Sequence, residues 1–217
     1  MILLNWVKNG LYIMIKLKLV IGGSKGVGKT SLIRRAVNDR FEVDTLSTIG
    51  VEFEVKTVTV DDPTVSSEPI TVQFSIWDFA GENKFRQLFP AYCSGASAAL
   101  LLYDITNPNS FKDLENWYNL VKNAESNIIL CLIASKVDLT ENRKVTLKQA
   151  QRYKKKRKME YYIETSAKEG LGIQVAFDEI AKMLVKRSLQ TCPHCGQKFS
   201  TNLILCTHCG KTVNNHS

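Results

Sequence analysis

The 217-residue chain has no apolar run near the roughly 18 residues that a membrane-spanning helix needs. An integral α-helical membrane protein is excluded on that ground. No basic, then apolar leader with a small-residue cleavage site opens the chain, so an oxidising compartment has no support. The second residue is Ile2 rather than glycine, which excludes N-myristoylation for this start. Charge is not strongly of one sign: 29 Lys and Arg against 21 Asp and Glu leave a formal net charge of +8. A balance so mild fits a solvated surface as well as an anionic partner. The apolar share of 44% and charged share of 23% are those of a soluble globular protein. The length suits one α/β domain of about 170 residues and a small appendage.

The opening stretch, MILLNWVKNGLYI, sets Leu4, Val7, Leu11 and Met14 at helical spacing. Residues 1–13 are therefore expected to be either a short amphipathic helix lying on a membrane or a disordered extension. From Lys16 onward strand-like and helix-like segments alternate. KLKLVI reads as a strand and TSLIRRAVN as a helix. FEVKTVTV and ITVQFSIWDF are β-rich runs separated by DDPTVSSEP, whose Pro, Ser and Asp mark a hairpin loop. ALLLYDI and IILCLIAS are almost wholly apolar, as strands buried on both faces are. SFKDLENWYNLVKNA, TLKQAQRYKKKRK and GIQVAFDEIAKMLVKR carry helical patterns. The alternation predicts an α/β fold: a mostly parallel six-stranded sheet with helices on both faces and one antiparallel strand. The run RYKKKRK, residues 152–158, spreads its charge around a helix; it is a solvated face or a contact for anionic lipid or an acidic partner.

GSKGVGKT, residues 23–30, fits G-x-x-x-x-G-K-[ST] with a strand before it and a helix after it. Gly23, Gly26 and Gly28 let the main chain wrap a polyphosphate, turning its N–H groups and the helix N-terminus toward the anion. Lys29 reaches the β- and γ-phosphates in such a loop, and the Thr30 hydroxyl ligates Mg²⁺. SKVD, residues 135–138, follows a buried strand. The Asp138 carboxylate can accept two hydrogen bonds from guanine that adenine cannot donate, and an unpaired buried acceptor rejects the wrong base strongly.

These segments, with STIGVEF (47–53), WDFAG (77–81), YDITNPNSF (103–111), KVDL (136–139) and ETSAK (164–168), stand in an order and spacing that resemble the Ras superfamily of small GTPases. The resemblance covers residues 16–187 and is nearest to the Rab branch. It implies a P-loop G domain over residues 14–188 that binds GTP or GDP with Mg²⁺ and hydrolyses GTP. In that likeness Thr48 is the switch I threonine that ligates Mg²⁺ and senses the γ-phosphate. Asp78 holds Mg²⁺ through water, and the Gly81 N–H meets the γ-phosphate. Phe41 stacks on the base, Lys136 packs along its plane, and the Ala167 N–H meets its oxygen. Lys25, Val27, Ser31, Ser135, Ser166 and Lys168 complete the implied contacts, and Lys29, Thr48, Gly81 and residue 82 the catalytic set. Implied partners are effectors reading switches I and II, an exchange factor and a GTPase-activating protein. Implied placement is cytoplasmic, with peripheral membrane contact left open. Two loops that touch only the terminal phosphate can be ordered and released with it.

Four positions depart from the family pattern. Glu82 stands where glutamine usually orients the attacking water; it lacks the amide donor and adds negative charge beside a triphosphate, so slow hydrolysis is expected. Lys25 replaces a small residue near the γ-phosphate, where it could add favourable charge, imitate a cationic finger, pair with Glu82 or project into water. Ser135 replaces asparagine and is too short to bond the base and brace the phosphate loop together, which predicts weaker guanine affinity. Thr45 replaces an aromatic residue and leaves the γ-phosphate pocket more open.

Of six cysteines, Cys93 and Cys131 lie among apolar or small residues and read as packing. The others form C-x₂-C-x₁₀-C-x₂-C: Cys192, Cys195, Cys206 and Cys209. Each pair is followed by glycine, which permits a tight knuckle, and four thiolates so spaced suit tetrahedral Zn²⁺. A structural zinc ribbon is expected over residues 191–212, ahead of a tail at 213–217. His194 and His208 sit inside the knuckles as spectators. Phe199, Leu203 and Leu205 are too few for a core, so metal would drive folding of this piece. Rab-like chains usually end in prenylated cysteines; here the chain ends NNHS, and no prenyl anchor is expected. The ribbon then reads as a docking module, and nucleic acid is not an expected partner. Two alternatives to a working GTPase switch stay open: a non-catalytic, nucleotide-locked scaffold, and a zinc-dependent nucleic-acid binder with a vestigial G domain.

Overall fold

The computed structural model describes residues 2–7, 10–41, 51–61, 69–79, 86–201, 204–206 and 208–213. Its main sheet runs through β1 (Ile2–Val7), β2 (Gly10–Gly22), β3 (Val51–Val60), β4 (Ile70–Phe79), β5 (Ala98–Asp104), β6 (Ile129–Ser135) and β7 (Tyr161–Glu164). The helices are α1 (Lys29–Asn38), α2 (Phe89–Cys93), α3 (Pro108–Ala124), α4 (Leu147–Arg157) and α5 (Ile173–Ser188). Strand order is β3-β4-β2-β5-β6-β7, with β1 paired to β2. The pairs β2–β4, β2–β5, β5–β6 and β6–β7 are parallel, while β3 lies antiparallel on β4. The six expected strands are thus present in a mostly parallel sheet.

A seventh strand corrects the reading of the N-terminus. Ile2–Val7 form no helix; they pair antiparallel with Gly10–Ile15, from Val7↔Gly10 to Ile2↔Ile15. Ladder bonds to an already extended β2 outweigh the helical spacing of a few apolar residues, because propensity is a weak prior against tertiary partners.

The apolar runs pack on both faces, as period-two strands must. Ala98, Leu100 and Leu102 of β5 face α1 and α5, where Leu32, Phe177 and Ile180 are buried. Ala99, Leu101 and Tyr103 face the other layer, with Phe89 of α2 and Leu114 and Trp117 of α3. Cys93 and Cys131 are fully buried in these two layers. Helix α4 opens on a reciprocal cap, Thr146 with Gln149, and closes on Lys154, Lys155, Lys156 and Arg157, whose charge opposes the helix dipole. Of that basic run Arg157 pairs with Glu115 and lies over Tyr118. No helix among the described residues is long and apolar enough to cross a membrane.

After β2 the chain goes to the edge for β3, comes back for β4 beside β2, and then builds β5, β6 and β7 on the other side. The order therefore reverses between β2 and β5, and the crevice at the carboxyl ends of these strands is where such sheets bind ligands.

The last described residues make a small second sheet next to the end of α5, with Leu189 packed on the main core. Strands β8 (Leu189–Thr191) and β9 (Lys198–Ser200) pair antiparallel directly after α5. Cys192, Phe199, Cys206 and Val213 form its only buried cluster among the described residues.

Candidate functional site

The segment Gly23–Thr30 leaves β2 at the crevice and enters α1 at Lys29. Gly23 has φ 151°, and a Cβ there would lie 2.6 Å from the Leu102 carbonyl oxygen, so no larger residue fits. Lys29 is buried, and its ammonium donates to the carbonyls of Gly23 at 2.9 Å and Ser24 at 3.1 Å. Burial pulls its pKa down to about 8, with Arg86 adding to the fall and Asp78 opposing it. The Thr30 hydroxyl donates to Oδ2 of Asp78 at the end of β4. Burial pushes the Asp78 carboxyl up to about 6, against the Thr30 bond and the Lys29 charge. Its other oxygen, Oδ1, is buried without a hydrogen-bond partner. An orphaned carboxylate oxygen beside a threonine hydroxyl fits a hard, oxygen-seeking cation such as Mg²⁺.

The second half of the site lies at the ends of β6 and β7. Ser135 is buried, and its hydroxyl is within bonding reach of the Val27 carbonyl at 2.6 Å and the Tyr103 carbonyl at 2.8 Å. The single hydroxyl proton is shared between them. Serine thus reaches the phosphate loop, because β6 ends close enough to Val27 for a short side chain to span the gap; whether it could also bond a base is a separate matter that its length was expected to forbid. Lys136 adopts φ 62°, an uncommon state for a non-glycine residue, and turns the chain away from the sheet. Its ammonium lies 2.7 Å from Asp104 Oδ2. Asp138 Oδ1 accepts from the Ser166 hydroxyl at 2.6 Å, which also accepts from the Glu169 N–H at 3.1 Å. Ala167 follows in the same loop, half-buried, and Lys168 is exposed with its ammonium 3.7 Å from Glu169.

Phe41 is 38% exposed and Lys25 is exposed; Gly26, Gly28 and Ser31 lie along the loop and the first turn of α1. Thr45, Thr48, Gly81 and Glu82 lie outside the described residues. The structure thus joins Thr30 to Asp78 beside Lys29, ties Ser135 to the phosphate loop through Val27, and pairs Asp138 with Ser166. It also shows residues that motif reading passed over. Asp104, in YDIT, holds Lys136; Ser24, Arg86 and Asp113 form a cluster against the phosphate loop. No local pattern marks that cluster, since its members are 89 and 27 positions from Asp113. Phe53 of β3 is 51% exposed and meets Trp77 of β4 edge-on at 5.3 Å, and Trp77 meets Tyr92 of α2 at 5.3 Å, forming an aromatic patch.

The cysteine unit repeats one geometry twice. Cys192 N–H donates to the Gln197 carbonyl, Gly196 N–H to the Cys192 carbonyl and His194 N–H to the Cys192 sulfur at 3.4 Å. Cys206 N–H donates to Lys211, Gly210 N–H to Cys206 and His208 N–H to the Cys206 sulfur, again at 3.4 Å. Gly196 and Gly210 take φ 72° and 69° to close the turns. The four sulfurs all lie within 4.8 Å of one another. Cys192 and Cys209 approach to 3.7 Å, as do Cys195 and Cys206, too far for S–S bonds. Four clustered thiols with amide donors aimed at them are a donor set suited to Zn²⁺.

A glycine-lined loop at the switch point of a mostly parallel sheet, leading into a helix, defines a P-loop nucleotide-binding protein. Comparison with known proteins narrows this. The Ras family matches residues 18–186. The chain is 37% identical over 179 residues to Ras-related protein RABA2a of Arabidopsis thaliana, covering 80% of this chain and 79% of that one. It is 37% identical over 181 residues to Ras-related protein Rab-18-B of Danio rerio, covering 82% of each. Identity to Ras-related protein Rab-18 of Lymnaea stagnalis is 37% over 198 residues, 90% of this chain and 91% of that one. The chain belongs to the Ras family. It is a Rab-like small GTPase, for which GTP or GDP and Mg²⁺ are the expected ligands.

Proposed function

We propose that the chain is a GTP switch whose intrinsic hydrolysis is slow, carried on a G domain that ends in a zinc-stapled ribbon. The observation that carries the nucleotide reading is the Thr30–Asp78 pair, with its orphaned Oδ1, set beside a buried Lys29 in the phosphate loop. Lys29, held on two loop carbonyls, would exchange them for phosphate oxygens, so the loop is shaped before substrate arrives. Thr30, Asp78 and Thr48 would hold Mg²⁺, which when bound neutralises charge on the β- and γ-phosphates. Asp138, kept in place by Ser166, would read the guanine edge, with Phe41 and Lys136 along the ring and the Ala167 N–H at its oxygen. Lys136 would leave or share Asp104 to do so. Gly81 would meet the γ-phosphate and Glu82 would face the water.

Glu82 is the reason for slowness. A carboxylate cannot donate to water as an amide does, and it repels the triphosphate. Single-turnover phosphate release by the wild type and Glu82→Gln tests this: the glutamine variant is expected to be faster. A slower glutamine variant contradicts the proposed role, and no release from either supports a nucleotide-locked scaffold instead. The Phe53–Trp77–Tyr92 patch is the proposed surface for effectors. The ribbon, with Ile204 at 67% and Leu205 at 51% exposure, is proposed as a protein-docking module.

A further inference from the structure

The hydrolase reading, on which this inference rests, assigns nothing to α3. Yet one carboxylate there gathers donors from three elements. Asp113 Oδ1 accepts from Arg86 Nη1 at 2.8 Å and Asn116 Nδ2 at 2.9 Å. Its Oδ2 accepts from the Ser24 hydroxyl at 2.5 Å, from Trp117 Nε1 at 3.1 Å and from Arg86 Nη2. We infer that Asp113 is a positioning residue for GTP hydrolysis: it ties the phosphate loop, at Ser24, to the carboxyl-terminal flank of the switch II segment, at Arg86.

The geometry is not that of a stray surface ion pair. The Arg86 and Asp113 side chains are only 19% and 18% exposed, and the contact is bidentate, which fixes direction as well as distance. The Arg86 guanidinium also lies over the Trp117 ring at 4.7 Å, so it is held on a face and at an edge together. Trp117 is fully buried and forms the floor of the same junction. A Cβ added at Gly22, where the phosphate loop begins, would lie 2.9 Å from Trp117 Cε3 and 3.1 Å from Phe89 Cζ of α2. Thus the loop entrance, α2 and α3 meet at one indole.

From this junction two lines run to the reaction. Ser24, whose hydroxyl Asp113 accepts, offers its own carbonyl to the Lys29 ammonium at 3.1 Å. Arg86 directly follows, in sequence, the stretch 80–85 that carries Gly81 and Glu82. Arg86 is also close enough to Lys29 to lower its pKa. Asp113 neutralises that second cation. The carboxylate stays ionised: burial pushes its pKa up, but hydrogen bonds from Arg86, Ser24 and Asn116 hold it at about 2. No hydrogen bond joins Ser24 to Arg86 directly among the described residues; Asp113 is the side chain that hydrogen-bonds to both.

The test is a cycle of single-turnover GTP hydrolysis on the full chain, with GTP affinity and thermal midpoint measured for each variant. Asp113→Asn is expected to slow the bound-state rate by about ten- to a hundred-fold, the cost of misplacing groups around a reacting centre, while GTP affinity changes far less. Ser24→Ala and Arg86→Lys each cut one line, and their combination is expected to be no slower than Asp113→Asn, because both act at one junction. That pair of milder changes also serves if Asp113→Asn folds poorly. Effects of Ser24→Ala and Arg86→Lys that multiply would overturn the inference, as would losses of rate matched by losses of affinity. Faster hydrolysis in Asp113→Asn that vanishes with Arg86→Lys would overturn it too, in favour of Asp113 sequestering a cationic finger. A wild type that turns over no GTP would sink the hydrolase reading itself, and the inference with it.

Discussion

Replacing Ser135 by alanine removes one buried hydroxyl and leaves the carbonyls of Val27 and Tyr103 without it. Ser135 is 5% exposed and Val27 is 1% exposed, so water cannot take its place without rearrangement. A single neutral hydrogen bond contributes about 0.5–1.5 kcal/mol net, and an acceptor left unsatisfied in the interior costs about 1–3 kcal/mol. Since the 2.6 Å bond to Val27 is made inside the phosphate loop, part of that loss falls on loop order, which nucleotide binding must then restore. A loss near about 1.4 kcal/mol corresponds to a factor of about ten in the nucleotide dissociation rate if association is unchanged. The assay is displacement of a fluorescent GDP analogue by excess GDP in Mg²⁺, wild type against Ser135→Ala, alongside thermal unfolding. The variant is expected to release nucleotide about five- to thirty-fold faster, with a modest drop in midpoint. A midpoint that falls while dissociation stays within experimental error of the wild type would refute the reasoning, because the bond would then serve the fold alone.

Metal content gives a second test. Protein purified under reducing conditions is expected to carry one zinc per chain, lost in Cys206→Ala. The ribbon should then become protease-sensitive, because structural zinc of this kind supplies about 10–16 kcal/mol of folding free energy. Reduced protein with no stoichiometric zinc would remove the metal assignment. A third concerns acid. Asp113 has a folded pKa of about 2 against an ordinary 3.8, so its contribution is present above the unfolded value and fades as pH falls through the folded one. The stability gap between wild type and Asp113→Asn should be full at neutral pH and shrink below about pH 4; a gap that holds at pH 2 contradicts the assigned ion pair.

Much of the nucleotide site was legible because its chemistry is local in sequence. GSKGVGKT holds its glycines, Lys29 and Thr30 in one turn, and the flanking strand and helix follow from periodicity. The C-x₂-C pairs were legible for the same reason: a knuckle is closed by residues three apart and a glycine. Ser135 was only half legible. Its side-chain length was known, but the gap it had to span depended on where β6 ended beside Val27. Lys136 was expected along a base plane, and the structure adds an anionic partner, Asp104, on the neighbouring strand. The N-terminal residues misled because their apolar spacing suited a helix, while a paired edge on β2 was available to them.

What the residues alone determined is the set of groups whose partners lie within a few positions: a glycine-rich phosphate-type loop and a thiol cluster. What only the folded chain decided is which distant groups share a carboxylate or a carbonyl. Asp113 meets Ser24 and Arg86, and Ser135 meets Val27, because β2, β6, α2 and α3 pack on one sheet. Hydrogen bonds act over about 3 Å, whereas periodicity constrains direction along a single element. Only packing brings separate elements to that distance.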